Sequence, residues 1–369
     1  MASIQQRLRG RGYDDRTVEL ASQPQRPSTL ELYNKQWEAF VSYCNSFGWT
    51  AHHATSTQLA QYLTHLFDRG LAPATIQVHR AAISSVISTD TYNPSEDEVV
   101  RNLIRRFHRD RPRTVRIVPD WDLSFVLAQL LKPPFVQGTP PSDRRIPLQY
   151  LLFKTTFLLA LASGARRSEL HALVRTPPSF LITKEGTSGS KKMQLRAYAG
   201  FVAKNQVPDT VFQPFVIPSM AHLVPDEPER LLCPVRATEL YVQRTSHPAF
   251  LQRRRRLLLH YDPSISDTRL SHISQWIVNT VVLAYRHADD DTARLMQVKA
   301  HEVRAIANSV AYFNNVSLSE VMQGARWRSR GTFVGHYLRD AQQELSGLYR
   351  LAPVVVAQRI IQPPDRTFE

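Results

Sequence analysis

The sequence predicts a mainly α-helical chain with a small β-sheet, arranged as a helical domain followed by a larger mixed α/β domain. Three observations lead there. Apolar residues recur at helical spacing in four successive segments between residues 28 and 107. Three short runs of β-type alternation cluster between 180 and 217, and helical periodicity returns from 235 onward. At 369 residues and 43% hydrophobic content the chain is long enough for two ordinary domains. No apolar run approaches the roughly 18 residues of a membrane span. The first eleven residues are basic without an apolar stretch behind them, so a secreted protein is not expected. Cys44 and Cys233 are too few for a disulfide framework or a thiolate zinc site, which points to a reducing, intracellular setting.

Residues 1–27, with Arg, Gln and Pro and no apolar period, are expected to form a flexible N-terminal arm. Ser28-Thr-Leu-Glu31 has the spacing of a capping box, in which hydroxyl and carboxylate each satisfy an orphan amide of the first turn. Leu30, Tyr33, Trp37, Phe40, Val41 and Cys44 then trace one face, and Gly48 stops the helix. Thr55-Ser-Thr-Gln58 opens a second helix with Leu59, Tyr62, Leu63, Leu66 and Phe67 inward and Gly70 as its stop. Pro73 suits a first helical turn and precedes Ile76, Ile83, Val86 and Ile87. Ser95 is expected to start the fourth helix, burying Val99, Leu103, Ile104 and Phe107. These four make a helical domain over 28–113. The basic run from Arg105 to Arg113 leads to Pro119, and 108–119 reads as an interdomain linker, with 114–119 its end.

The mixed domain is expected over 120–347, with a tail over 348–369. A helix over 120–131 meets Pro133-Pro134, and a strongly apolar helix covers 148–163. Alternation in 180–183, 193–198 and 211–217 gives the small sheet. Helices follow over 235–245, 271–287, 300–313, 317–323 and 332–345, with Gly347 as a stop. Arg253-Arg-Arg-Arg256 reads as a charged loop.

Charge is the first statement about partners. The net charge is +14, of which residues 1–113 hold only +3, so the excess sits in the remainder; 38 of the 46 basic residues are Arg. A large cationic field attracts polyphosphates, and the planar guanidinium fork matches pairs of phosphate oxygens. Nucleic acid is the expected partner.

Two motifs carry the chemistry. In Gly164-Ala-Arg-Arg-Ser-Glu-Leu170 a helix stop meets a helix start, with Ser168 or a neighbour as cap, and an Arg pair falls between two apolar turns. An Arg held there needs an anion, either Glu169 or a phosphate with Glu169 orienting the guanidinium. His301-Glu-Val-Arg304 sets a His and an Arg on one helical face. It has no second His at i+4, so no metal site is expected. Further on, Trp327, four Arg and Tyr337 gather between residues 324 and 339.

In this order the residues resemble the tyrosine recombinase (phage integrase) family, whose signature is G-x-R-x-S-E-L, a Lys on a β-turn, H-x-x-R, a His or Trp, and a nucleophilic Tyr. Phrases such as Lys299-Ala-His-Glu-Val-Arg304 and Thr332-Phe-Val-Gly-His-Tyr-Leu-Arg-Asp340 look most like recombinases of DIRS-type and related animal mobile elements. The likeness runs from about Leu30 to Asp340. Tyr337 stands ten positions after Trp327, one more than is usual in bacterial members.

The resemblance implies a two-domain clamp on double-stranded DNA: a helical core-binding domain and a mixed α/β catalytic domain. It implies Arg166 and Arg304 as a clamp on the two non-bridging oxygens of the scissile phosphate, with Glu169 beside them. Tyr337 would be the nucleophile, Lys204 the acid that protonates the departing 5′ oxygen, and His301 an aid to proton transfer. Trp327 would hydrogen-bond a phosphate oxygen. Lys184, Lys191 and Lys192 rival Lys204, while Tyr312 and Tyr349 are the other late tyrosines. A covalent phosphotyrosine keeps the bond energy, so no cofactor or metal is implied. Family members act as homotetramers on two DNA sites, which here would be nuclear and serve a mobile element. A catalytically silent DNA-binding descendant and a type IB topoisomerase-like enzyme are the alternatives.

Overall fold

The computed structural model describes residues 2–22, 27–89, 91–112, 121–185, 190–204, 206, 211–219, 230–251, 256–288, 297–313 and 317–324. Within these the chain is mostly helical with one three-stranded antiparallel sheet, and it separates into two compact units, Met1–Val115 and Arg116–Glu369. Among the described residues no helix is long and apolar enough to cross a membrane.

The first unit holds α1 (Ala2–Gly10), α2 (Asp15–Ala21), α3 (Pro27–Ser46), α4 (Ser56–Asp68), α5 (Pro73–Ile87) and α6 (Glu98–Asp110). Thr55 and Gln58 cap α4 reciprocally, as the spacing predicts, and Pro73 opens α5. The buried faces of α3, α4, α5 and α6 meet on Phe40, Cys44, Leu59, Leu63, Ile76, Ile83, Val100 and Ile104. Tyr62 and His79 share a buried hydrogen bond of 3.0 Å. Burial raises the tyrosine's pKa and lowers the histidine's, so the pair is neutral near pH 7.

Three expectations are corrected here. Residues 2–21, read as part of a flexible arm, form α1 and α2, and Leu8 and Val18 are buried. Helix α3 begins at Pro27 rather than at the Ser28 cap. Helix α6 is capped by Asp97, whose carboxylate accepts the Val99 and Val100 amides, and the preceding 94–96 form a 3-10 turn. Starting there, Val99 is 59% exposed and Val100 takes its place in the core. The basic end of α6 also serves the fold. Arg111 donates to the carbonyls of Phe67 and Leu71 at 2.6 and 3.3 Å, closing the C-terminus of α4, and its guanidinium lies 3.8 Å from the Phe67 ring centre.

In the second unit α7 (Leu123–Gln129) precedes α8 (Leu148–Ser163), which is apolar on every side and therefore central. Its residues 151–162 are all buried. Three helices pack on α8: α10 (Pro234–Arg244), α12 (Leu270–Arg286) and α13 (Ala300–Phe313). Thr280 of α12 donates to the Phe153 carbonyl at 3.0 Å, and Thr155 of α8 donates to Ala237 of α10 at 3.3 Å. Short α9 (Arg167–Ala172), α11 (Pro248–Leu251) and α14 (Leu318–Gly324) complete the helices described. The sheet runs β1 (Phe180–Glu185), β2 (Ser190–Leu195), β3 (Phe215–Pro218), with Ile182 opposite Met193 and Met193 opposite Ile217. Met193, Leu195, Phe215 and Ile217 turn one face of it into the same core as α8.

Candidate active site

Helix α8 must end where its apolar run ends, and Gly164 supplies the left-handed turn with φ 57°. Two residues later Arg166 occupies the N-cap of α9. Of the caps the sequence left open, Ser168 or a neighbour, it is the neighbour Glu169 that serves. Glu169 turns back, one carboxylate oxygen accepting the Arg166 backbone amide and the other its guanidinium, both at 2.8 Å. Arg167, the other member of the pair, is exposed and reaches Ser274 at 3.4 Å. The register of the motif is thus set by Glu169, three residues after Arg166.

Arg304 arrives on α13. Its guanidinium donates to the Gly164 carbonyl, 140 residues away in sequence, and stands 3.9 Å from the Glu169 carboxylate. Arg304 and Glu169 are buried, while Arg166 keeps 15% of its side chain exposed. Two guanidinium groups thus face one buried carboxylate, and the exposed part of Arg166 gives the cluster a side open to solvent. Asn308, one turn beyond Arg304, donates to the Arg304 carbonyl at 2.6 Å. The left-handed turn favours glycine here, and a Cβ on Gly164 would also meet the Asn308 side-chain amide at 3.1 Å, which would have to give way.

Two further contacts hold these helices, and the sequence reading did not single them out. Glu302 is buried, accepting the Trp121 indole N–H at 3.2 Å and the Lys299 amide at 3.1 Å. Its spacing from Lys299 is that of a helix cap, a visible signal, whereas its pairing with Trp121 spans 181 residues and leaves no local trace. His171, on α9, contacts the Thr268 carbonyl through Nε2, and burial holds its pKa below the usual value. A neutral ring donating that N–H ties α9 to the loop before α12.

The remaining candidates lie as follows. His301, one turn before Arg304 on α13, is exposed. Lys204 is exposed at the second position of a turn closed by the Gln206 amide on the Ala203 carbonyl at 3.0 Å, in the connection from β2 to β3. That connection leaves the sheet beside α9, because Val174 donates to Arg196 and Tyr198 to Ala172 at 3.1 and 3.0 Å. Lys191 is bound by both oxygens of Glu239, at 2.9 and 2.7 Å, and Lys184 is its register partner. The structure therefore gathers Arg166, Glu169 and Arg304, and leaves His301 and Lys204 exposed on elements fixed to that cluster. Trp327, Tyr337 and Tyr349 lie outside the described residues, and so does the helix expected over 332–345. Among the described residues no three His, Cys, Asp or Glu side chains group as a metal site.

No family model matches this chain, and no curated protein does. Two solved structures align with most of it. A dimer of lambda integrase bound to a COC' core site aligns over 89% of this chain and 94% of its own, at 12% identity and a TM-score of 0.43. The integrase from mycobacterium phage Brujita aligns over 96% of this chain and 95% of its own, at 14% identity and a TM-score of 0.28.

Proposed function

We propose that this chain is a DNA strand transferase of the tyrosine type, which cuts a strand through a 3′-phosphotyrosine and rejoins it. The observation that carries this reading is the meeting of Arg166 and Arg304, from distant stretches of chain, on the buried carboxylate of Glu169. A phosphodiester resists attack because it is anionic, and charge grows on its non-bridging oxygens as a fifth ligand approaches phosphorus. Two oriented guanidinium groups answer that charge, and Glu169 fixes their direction beforehand.

The Tyr337 oxygen attacks phosphorus, the bond to the 5′ oxygen breaks, and the DNA 3′ end is left joined to the phenol. A free tyrosine has a pKa of about 10, so its proton must be accepted during attack. His301, one turn from Arg304, is assigned to that transfer. Lys204 protonates the departing oxygen. It is favoured over Lys191, which Glu239 engages, because its turn follows the segment pinned to α9. Trp327 donates its indole N–H to a phosphate oxygen. On this reading the chain serves a mobile element in the nucleus, acting as four copies on two DNA sites.

The test is incubation with nicked suicide DNA in EDTA, followed by denaturing electrophoresis. Wild-type protein is expected to form a covalent adduct, and Tyr337→Phe none; an undiminished adduct with phenylalanine would overturn the assignment. Tight DNA binding with no adduct from the wild type would identify a silent binding protein instead. Relaxation of supercoils without joining of two sites would identify a topoisomerase.

A further inference from the structure

A second basic site stands at the opposite end of the sheet from the arginine pair. A groove of about 910 Å³ opens between β2 and α10, lined by Arg144, Lys191, Arg230, Arg236 and Arg244, with Glu239 as its one acid among the described residues. The two ends of β2 are anchored differently. At its exit Arg196 pairs with Val174 beside α9, whereas at its start the Lys191 carbonyl accepts the Ser219 amide at 2.6 Å. The five residue steps from Lys191 to Arg196 amount to roughly 17 Å of strand. A phosphate bound at Arg166 and Arg304 therefore does not fill this groove.

Three of these cations are held in place by the fold. Arg236 is fixed at 2.8 Å by Asp143, which is fully buried, Arg244 donates to the Ile146 carbonyl, and Lys191 is gripped by Glu239. Among the described residues five positive charges face two negative ones, Asp143 included, around one concavity. Guanidinium groups anchored on one side present their other N–H donors in fixed directions, the arrangement that suits phosphate oxygens. No described lining residue is aromatic, so a nucleobase finds no ring to stack on.

We propose that this groove is a second phosphate-binding site, taking a run of phosphates from DNA away from the bond being cut. The choice of DNA over a free polyphosphate rests on the strand-transferase reading above; the charge and geometry of the groove do not. Measuring duplex affinity against salt separates the two. Each lost phosphate contact lowers the slope of log affinity on log salt by about 0.9. Arg144→Ala with Arg230→Ala is expected to lower it by about two and leave the melting midpoint in place. Arg236 and Arg244 are kept, since Asp143 and Ile146 tie them into the fold.

An unchanged slope overturns the proposal for DNA. So does an equal fall from Arg269→Ala with Arg286→Ala, two exposed arginines of α12 and its cap that carry the same charge. Inorganic tripolyphosphate serves as the second probe. Binding that the groove variant loses while the DNA slope stays fixed assigns the site to a free polyphosphate, and binding of neither probe ends the phosphate reading altogether. Failure of the wild type to form an adduct would sink the strand-transferase reading and leave these slopes as measured.

Discussion

Glu169 is 1% exposed and faces two guanidinium groups, so its charge is balanced by protein rather than by water. Removing one member of a buried ionic group leaves the others uncompensated, which costs about 3–5 kcal/mol. Glu169→Ala is expected to lose stability of that order, read as a fall in the urea midpoint, and to abolish adduct formation. Glu169→Gln keeps an oxygen for the Arg166 amide and should lose less stability than the alanine variant; equal losses would mean that the retained oxygen contributes nothing and the carboxylate charge carries the whole effect. At this scale the sequence told Arg166 from Arg167 only through the spacing of the G-x-R-x-S-E-L signature it resembles. It could not show that the Gly164 carbonyl receives Arg304, since nothing local links residues 140 apart. Trp121 and Glu302 were illegible for the same reason.

Helix α8 was legible to the residue, because a long apolar run bounded by Pro147 and Gly164 has one way to be placed. Helix α6 was misread by one step: Val99 and Val100 satisfy the period equally, and only the Asp97 cap decides which is buried. In α1 and α2 Leu8 and Val18 stand ten residues apart, too sparse to make a period. One residue of α8 contradicts the helix around it. Lys154 is fully buried and donates to the Leu130 carbonyl at 3.0 Å, at the end of α7. Burial pushes its pKa down from 10.5 to about 8, with Asp143 opposing and Arg236 adding to the fall. Between those two values the unfolded chain holds a proton that the folded chain has released, so stability rises with pH across the window. The whole shift corresponds to about 3 kcal/mol. The difference in unfolding free energy between wild type and Lys154→Met should therefore move in favour of the wild type by about that amount from below pH 8 to pH 10.5. A difference that stays constant over the same range would show that Lys154 does not titrate there.

At the scale of the whole molecule, the two units bury separate sets of side chains. One set runs from Trp37 to Phe107 and the other from Trp121 to Val321, and among the described residues none belongs to both. The N-terminal unit also makes polar bonds of its own: Arg111 closes α4, Asp97 caps α6, and Tyr62 and His79 satisfy each other. A unit with its own core and its own caps has what independent folding requires. Its charge is near balance, whereas most of the excess of the +14 chain lies beyond it, so nucleic acid is not needed to relieve repulsion within it. Residues 1–112 expressed alone are thus expected to give a helical circular dichroism spectrum and a single cooperative urea transition. The same transition should appear unshifted in the full chain, as one of two steps. If the fragment unfolds without cooperativity, or if its step moves when the rest of the chain is present, the two cores are coupled, and stability changes made at Glu169 or Lys154 would then spread into the N-terminal helices.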